Sequence, residues 1–460
     1  MDNKKATLEL GTKPVGQLLW QYALPAIIAM TASSLYNIID RIFIGQEVGP
    51  DAIAGLAITF PFMNLAAAFG AAVGVGAATA ISVKLGQKDY TTAENILGNT
   101  VTLNLIIGLS FTAIFMVFLD PMLRFFGASD ITLPYARSFM QIIIGGNVVS
   151  HMYFGLNNLL RAASKPRSAM TATVFTVACN ILLDALFIPG FGWGIRGAAL
   201  ATVISQFLAL CWQVYLFSRP QELLHFKQGI YRLRSRLVKA IISIGISPFL
   251  MNLCACIIVV FVNKQFVRYG GDMAVGAYGI SNSIATMFVM IVFGVNQGMQ
   301  PIAGYNYGAQ HNDRLKQVLR LAIVSATAIM TTGWLLAMLL PQYIARLFTT
   351  DARLIELSAM AIRYVMLVFP IVGFQMVVTN FFQCIGKVKL SIFLSLSRQL
   401  LFLLPLLFIL PLFGGLKGVW LALPSSDAIA AIVAAGVMTA FMRRLRSAES
   451  TPNNIPNANL

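Results

Sequence analysis

Gly49-Pro-Asp-Ala-Ile-Ala-Gly55 and Gly270-Gly-Asp-Met-Ala-Val-Gly276 are two versions of one heptapeptide, with Asp51 and Asp272 221 positions apart. The register extends in both directions. Gly76 and Gly86 recur as Gly298 and Gly308, and Asn158 and Lys165 as Asn380 and Lys387, each 222 positions on. Gly194-Ile-Arg-Gly197 recurs as Gly415-Leu-Lys-Gly418, and Pro25 as Pro248. A register held across half of the chain is an internal repeat rather than a set of chance matches.

The repeated material is apolar. Of 460 residues, 58% are hydrophobic and 11% charged, against ~25% charged in soluble domains. This composition excludes an ordinary soluble domain and a disordered chain. A membrane-spanning helix needs ~20 apolar residues. Apolar runs lie near 17–40, 52–82, 93–118, 133–160, 168–188 and 197–217, then near 238–262, 274–305, 321–340, 354–384, 390–411 and 418–441. Few strand-like alternations interrupt them, so they read as helices. Each period holds an even number of spans, so both halves enter the membrane from the same side. Such parallel repeats are related by an axis along the membrane normal. The expected fold is an all-α integral membrane protein with twelve transmembrane helices in two six-helix lobes, related by a pseudo-two-fold along that normal. The expected divisions are a tail at 1–16, a lobe at 17–217, a linker at 218–237, a lobe at 238–442 and a tail at 443–460. A cleft between two lobes suits a transporter.

Charge gives orientation. The net charge is +16, which in a soluble protein would suggest nucleic acid. Here Lys and Arg sit at the ends of spans, about two thirds of them on the side of the termini, so both termini are expected in the cytoplasm. Cys179, Cys211, Cys254, Cys256 and Cys384 all lie in apolar runs and form neither a zinc pattern nor a disulfide framework. His151, His225 and His311 are scattered and no nucleophile motif is present, so the chain does not read as an enzyme. The polar stretch Met1–Thr12 carries no cleavable signal pattern.

Ionisable groups at membrane depth are costly and usually functional. Asp184 and Asp427 lie well inside spans, and Asp40 near the outer end of the first. Counted from the span ends, Asp40, Asp184 and Thr202 fall at one level in the outer half. Asn180 shares a helix face with Asp184, as Asn37 does with Asp40. Two carboxylates with Asn and Thr oxygens at one depth suit a hard cation or a shared proton. The alternative is that Asp40 pairs with Arg41 and Asp184 closes a hydrogen-bond network. The second half lacks this set, since Asn180 maps to Phe402 and Asp184 to Leu406. There, Arg398 and Asp427 read as a buried structural pair before a coupling role. Pro25 and Pro248 predict kinks, and Gly70–Gly76 allows close helix approach.

Several motifs, in order, resemble one family. They are Leu24-Pro25, Asn37-x-x-Asp40-x-x-Phe43-Ile44-Gly45, Gly86-Gln87, Asn180-x-x-x-Asp184 and Gly192-x-Gly194-Ile-Arg-Gly197-Ala-Ala-x-Ala201-Thr202. With the twelve-span repeat, they resemble the MATE (multidrug and toxic compound extrusion) transporters over about 10–445, and within them the prokaryotic branch named after DNA-damage-inducible protein F. The resemblance implies a V-shaped, two-lobed antiporter in the bacterial inner membrane. It would export organic, often cationic, small molecules in exchange for Na⁺ or H⁺. No cofactor is implied beyond that ion, and no partner beyond membrane lipid; the chain reads as a monomer. Carried over, the ion site is Asp40, Asn180, Asp184 and Thr202, which are also the Na⁺ ligands if sodium is the coupling ion. Pro25 is the hinge. Tyr36, Asn37, Met63, Asn147, Asn157 and Asn180 are the substrate-facing candidates. The rival reading is a lipid-linked sugar flippase or polysaccharide exporter of similar fold, which would carry a strongly basic cavity.

Overall fold

The computed structural model describes residues 2–450, and within them all side chains except those of 2–6, 37, 38, 41, 42, 45, 46, 50, 51, 53, 54, 272 and 446–450. Among the described residues all regular structure is helical. Among the described residues nine helices are long and apolar enough to cross a bilayer. Two bent pairs, Leu133–Gly145 with Asn147–Ala162 (55°) and Ala352–Val365 with Phe369–Cys384 (50°), raise the number to eleven. The run Val388–Leu445 has 58 residues. As one helix it would reach about 87 Å, against a hydrocarbon core of ~30 Å. It breaks at Gly415 (φ 54°, ψ −131°), and so supplies two spans, making twelve.

We number them in order. Span 1 is Val15–Glu47 and span 2 Pro50–Gly86. Span 3 is Tyr90–Val117, and span 4 the bent pair ending at Ala162. Span 5 is Pro166–Ala185 continuing as a π-helix, Leu186–Gly190, and span 6 is Gly194–Phe217. Spans 7 and 8 are Ser235–Gly271 and Met273–Gly308, and span 9 is Asn312–Leu339. Span 10 is the second bent pair. Span 11 starts at Val388 and includes the π-helix Ser397–Leu403; span 12 follows Gly415.

The backbone carries the repeat as clearly as the sequence does. Left-handed φ values recur in pairs: Gly49 (108°) and Gly271 (66°), Lys88 (59°) and Gln310 (57°), Ser164 (64°) and Gly386 (71°), Gly194 and Gly415 (54° each). The first pair moves the opening heptapeptides by one position: Gly49 corresponds to Gly271, not Gly270. Gly194 and Gly415 reverse the chain into spans 6 and 12, a conformation that a Cβ disfavours. Three residues later Gly197 and Gly418 lie against the preceding span. A Cβ at Gly418 would stand 2.2 Å from the Leu410 carbonyl oxygen, and one at Gly197 3.0 Å from Phe187 Cβ.

Among the described residues, one end of the molecule carries a hydrophobic core common to both lobes. The largest hydrophobic core joins Leu10, Leu18 and Val73 of the first half to Ile241, Val292 and Ala303 of the second. At the far end there are two separate cores. One runs from Ile44 to Ala199 within the first lobe, and the other from Ile258 to Ala422 within the second. The shared end holds the described residues nearest both termini. There glycines let backbones touch: a Cβ at Gly76 would lie 2.0 Å from Ile241 O, and one at Gly245 1.8 Å from Ala72 O. A Cβ at Gly86 would meet Tyr305 O at 2.0 Å, and its symmetry mate at Gly308 would meet Val83 O at 2.1 Å. Since Val83 and Tyr305 are themselves 222 positions apart, these two contacts are one contact repeated across the pseudo-two-fold.

Two segments outside the spans are built into this end. Asp2–Thr12 is a helix, and Leu10 is buried. Asn306 Nδ2 and Arg314 Nη2 donate to Leu10 O at 3.0 and 3.1 Å, and Arg314 also to Lys13 O at 2.6 Å. A guanidinium thus satisfies the last carbonyls of this helix. The leading segment expected as a tail is therefore docked on the second lobe. At the other terminus the last helix continues to Ser450, and 451–460 lie outside the described residues.

The connection between lobes is held by Asn99 on span 3. Its Nδ2 donates to Ile230 O (3.2 Å) and Arg232 O (3.1 Å), and its Oδ1 accepts from Arg234 N (2.9 Å). Lys227 and Glu94 pair beside it at 2.6 Å. The linker thus belongs mechanically to the first lobe up to Arg234. Removing three hydrogen bonds by Asn99→Ala is expected to cost roughly 2–4 kcal/mol locally. Hydrogen exchange should then rise in 219–234 while the spans keep their protection.

Candidate functional site

Spans 1, 5 and 6 pack together in the first lobe, and their polar residues converge. Asp184 is fully buried, and Asn180 and Asp40 are 1% and 8% exposed. One helical turn separates Asn180 from Asp184, which puts both on one face. The Asn180 amide is oriented by its neighbours: Nδ2 donates to Asp184 Oδ2 at 2.9 Å, and Oδ1 accepts from Thr202 N at 3.1 Å. The opposite orientation would set Nδ2 3.3 Å from Thr202 Oγ1 and turn the amide oxygen on a carboxylate, so it is rejected. Thr202 Oγ1 donates to Ala198 O at 3.0 Å. Having spent its proton there, it accepts from the Tyr36 hydroxyl, also at 3.0 Å.

Asp184 Oδ1 is left buried with no hydrogen-bond partner among the described residues. The Asp40 and Asp184 carboxylates are close enough for their charges to interact, and both act on the Tyr36 phenol. Like charges in a low-dielectric interior repel, and a cation or proton between them relieves the repulsion. The donor set is all oxygen, which suits a hard cation. Immediately beyond Asp184, the helix widens into the π-turn Leu186–Gly190 around Pro189. Such turns break the regular ladder and often accompany functional sites.

The structure brings together Tyr36, Asp40, Asn180, Asp184 and Thr202. Tyr36, expected only as a substrate contact, is part of the hydrogen-bond network; its place one turn before Asp40 on span 1 was the available signal. Asn37 lies outside the residues whose side chains are described. Met63 is half-buried and receives a long contact from Thr59 Oγ1 at 3.8 Å. Asn147 is buried at the bend of span 4, with Nδ2 unpartnered among the described residues. Asn157 lies apart from the carboxylates and is fully engaged. It donates to Ala169 O (3.1 Å) and Thr173 Oγ1 (3.3 Å), and accepts from Arg161 Nη1 at 2.7 Å. Arg161, read from the sequence as an end-of-span charge, is buried and also donates to Asn158 at 2.7 Å. The i, i+4 and i, i+3 spacing of Asn157, Asn158 and Arg161 could have indicated it. Span 1 runs as a continuous helix through Pro25, whose missing N–H leaves the Gln21 carbonyl without its helical donor.

A two-lobed bundle of parallel six-helix repeats, joined at one end and carrying paired acids in its interior, is the architecture of a secondary transporter. Comparison with known proteins agrees. The MatE family model matches residues 25–186 and 244–409. The chain is 28% identical over 427 residues to the multidrug export protein MepA of Staphylococcus haemolyticus (strain JCSC1435), covering 93% of this chain and 94% of that protein. It is 26% identical over 432 residues to MepA of Staphylococcus aureus (strain N315), covering 94% and 95%. A multidrug resistance MATE family transporter of the MOP superfamily, solved in an outward-facing conformation, superposes with a TM-score of 0.90 at 25% identity, covering 96% of this chain and 98% of that one. A MATE structure described as bent superposes with a TM-score of 0.91 at 25% identity, covering 97% and 99%. The chain belongs to the MatE family and is a multi-pass membrane protein, a MATE family transporter.

Proposed function

We propose that this protein is a secondary active multidrug efflux antiporter of the bacterial inner membrane, exporting organic, often cationic, compounds in exchange for Na⁺ or H⁺. The observation that carries the coupling is the buried, unpartnered Asp184 oxygen beside Asp40. The relatives' designation as multidrug export proteins supports the cargo. The distribution of Lys and Arg supports a cytoplasmic location for both termini. On that orientation the lobes are closed toward the cytoplasm and open outward. Ion binding at Asp40 and Asp184 changes the charge of the first lobe beside span 1. A helix with a missing hydrogen bond at Pro25 bends at low cost, and a bend there reshapes the cavity and expels cargo. The ion and the cargo must prefer different states, since a ligand of equal affinity shifts nothing.

A lipid-linked sugar flippase or polysaccharide exporter needs excess positive charge in the cavity. Arg398, the mid-span cation, has Asp427 at 3.4 Å and supplies no net excess, which disfavours that reading. The deciding experiment uses everted vesicles, a fluorescent organic cation, and an imposed Na⁺ or pH gradient. One gradient should drive uptake into the vesicles and the other should not. If neither moves any organic cation, the efflux reading falls and lipid-linked sugars become the cargo to test.

A further inference from the structure

The second lobe carries its own polar centre, which the ion site does not use. Arg398 stands in the π-helix Ser397–Leu403 of span 11, and Asp427 in span 12. Their positions in the repeat are those of Thr176 and Gln206, one helical turn from Asn180 and Thr202. The two lobes therefore place polar groups on equivalent helices, oxygens in the first and a charged pair in the second. Arg398 is ten residues from the start of span 11, about 15 Å at ~1.5 Å per residue, and so lies near mid-membrane.

The pair is loosely made. Arg398 Nη1 and Asp427 Oδ1 are 3.4 Å apart, whereas a charge-assisted hydrogen bond spans about 2.7–2.9 Å and Arg–carboxylate pairs are often bidentate. Neither side chain has a further hydrogen bond among the described residues. Their side chains remain 32% and 19% accessible. Buried ion pairs repay their desolvation only with good geometry and satisfied valences, so this one is a poor structural device. Charges at this depth face the bundle interior or a water-filled cavity, not lipid. Tyr278 of span 8 feels both charges. Behind it Phe266 stacks on its ring at 4.9 Å, with Trp420 4.3 Å from Phe266. Phe266 and Trp420 are fully buried in the second-lobe core, so what remains partly accessible is one positive and one negative side chain with unmet bonding capacity.

We infer that Arg398 and Asp427 read the charges of the cargo in the second lobe and select zwitterions, with the carboxylate of the compound on Arg398 and its amine on Asp427. The inference rests on the efflux reading and names a class of cargo for it. The probes are a rhodamine with a free benzoate and its methyl ester, which differ in one negative charge. Gradient-driven transport in proteoliposomes and equilibrium binding by fluorescence polarisation are both measured. Arg398→Gln should lower transport and affinity for the free acid at least about tenfold, the effect of one charge-assisted contact, and leave the ester near wild type. Arg398→Lys should recover part of the loss. The double variant Arg398→Gln/Asp427→Asn leaves no lone buried charge, which guards against misfolding. It should bind both dyes alike. An equal loss for acid and ester in Arg398→Gln, or no loss for either, overturns the inference. If wild type transports neither dye, the efflux reading fails, and the binding contrast still decides the role of the pair.

Discussion

On the proposed antiport, Asp184→Asn should leave a protein that inserts, folds and binds organic cations but no longer moves them against an ion gradient. The substitution is nearly isosteric, and the contact from Asn180 Nδ2 at 2.9 Å falls on an amide oxygen as readily as on a carboxylate. Packing is therefore kept, and what is lost is one buried charge beside Asp40. A swing between states from about 1:99 to 99:1 needs a ligand that prefers one of them by roughly 10⁴. Without Asp184 the ion loses most of that preference, and coupled turnover should fall by about two orders of magnitude or more. The measurement is gradient-driven uptake of a fluorescent cation into everted vesicles, normalised to inserted protein. Near-normal efflux from Asp184→Asn would remove the ion site from the mechanism.

Gly76→Ala combined with Gly245→Ala should open the end at which the lobes meet. Each new methyl would be within 2.0 Å or less of a backbone oxygen, Ile241 O in one case and Ala72 O in the other. A backbone atom cannot swing away as a side-chain tip can, so spans 2 and 7 must separate. Overpacking of this kind costs about 1–3 kcal/mol per site and sometimes more; the two sites touch the same helix pair and need not add. The cost falls on the state in which these helices touch, so it changes populations by about tenfold or more. Spin labels at Thr91→Cys and Asp313→Cys, with the native cysteines replaced, report the gap between the lobes at this end. Both positions are exposed. The distance distribution should move to longer values in the glycine variant and transport should slow. An unchanged distribution would mean that the close glycine contacts do not hold this state.

The spans were readable because burial in lipid leaves a local and additive mark. Runs such as 93–118 need only be counted. The bends inside spans 4 and 10 leave no such mark, because each bent pair is together long and apolar enough for one span. The helix Asp2–Thr12 was missed for the opposite reason: it is polar, and its buried Leu10 meets residues about 300 positions away. In the polar cluster of spans 1, 5 and 6, depth and helix periodicity in the sequence alone group Asp40, Asn180, Asp184 and Thr202. Asn157, on equally polar grounds, was grouped with substrate contacts, although its amide is taken up by Arg161, Ala169 and Thr173. Polarity at a given depth says that a group needs a partner and not which partner it finds.

From its sequence alone this chain is a parallel repeat of six spans, with acids in one lobe and an Arg–Asp pair in the other. These properties follow from composition, period and register, each a sum over neighbours along the chain. Three things belong to the tertiary structure. The orientation of the Asn180 amide depends on Thr202, on another span. The engagement of Asn157 depends on span 5. Closure at the end that holds the termini depends on backbone atoms of the two halves approaching closely at Gly76, Gly245, Gly86 and Gly308. A glycine in a sequence marks only that such an approach is permitted; which backbone fills the space is settled when helices far apart in the chain pack.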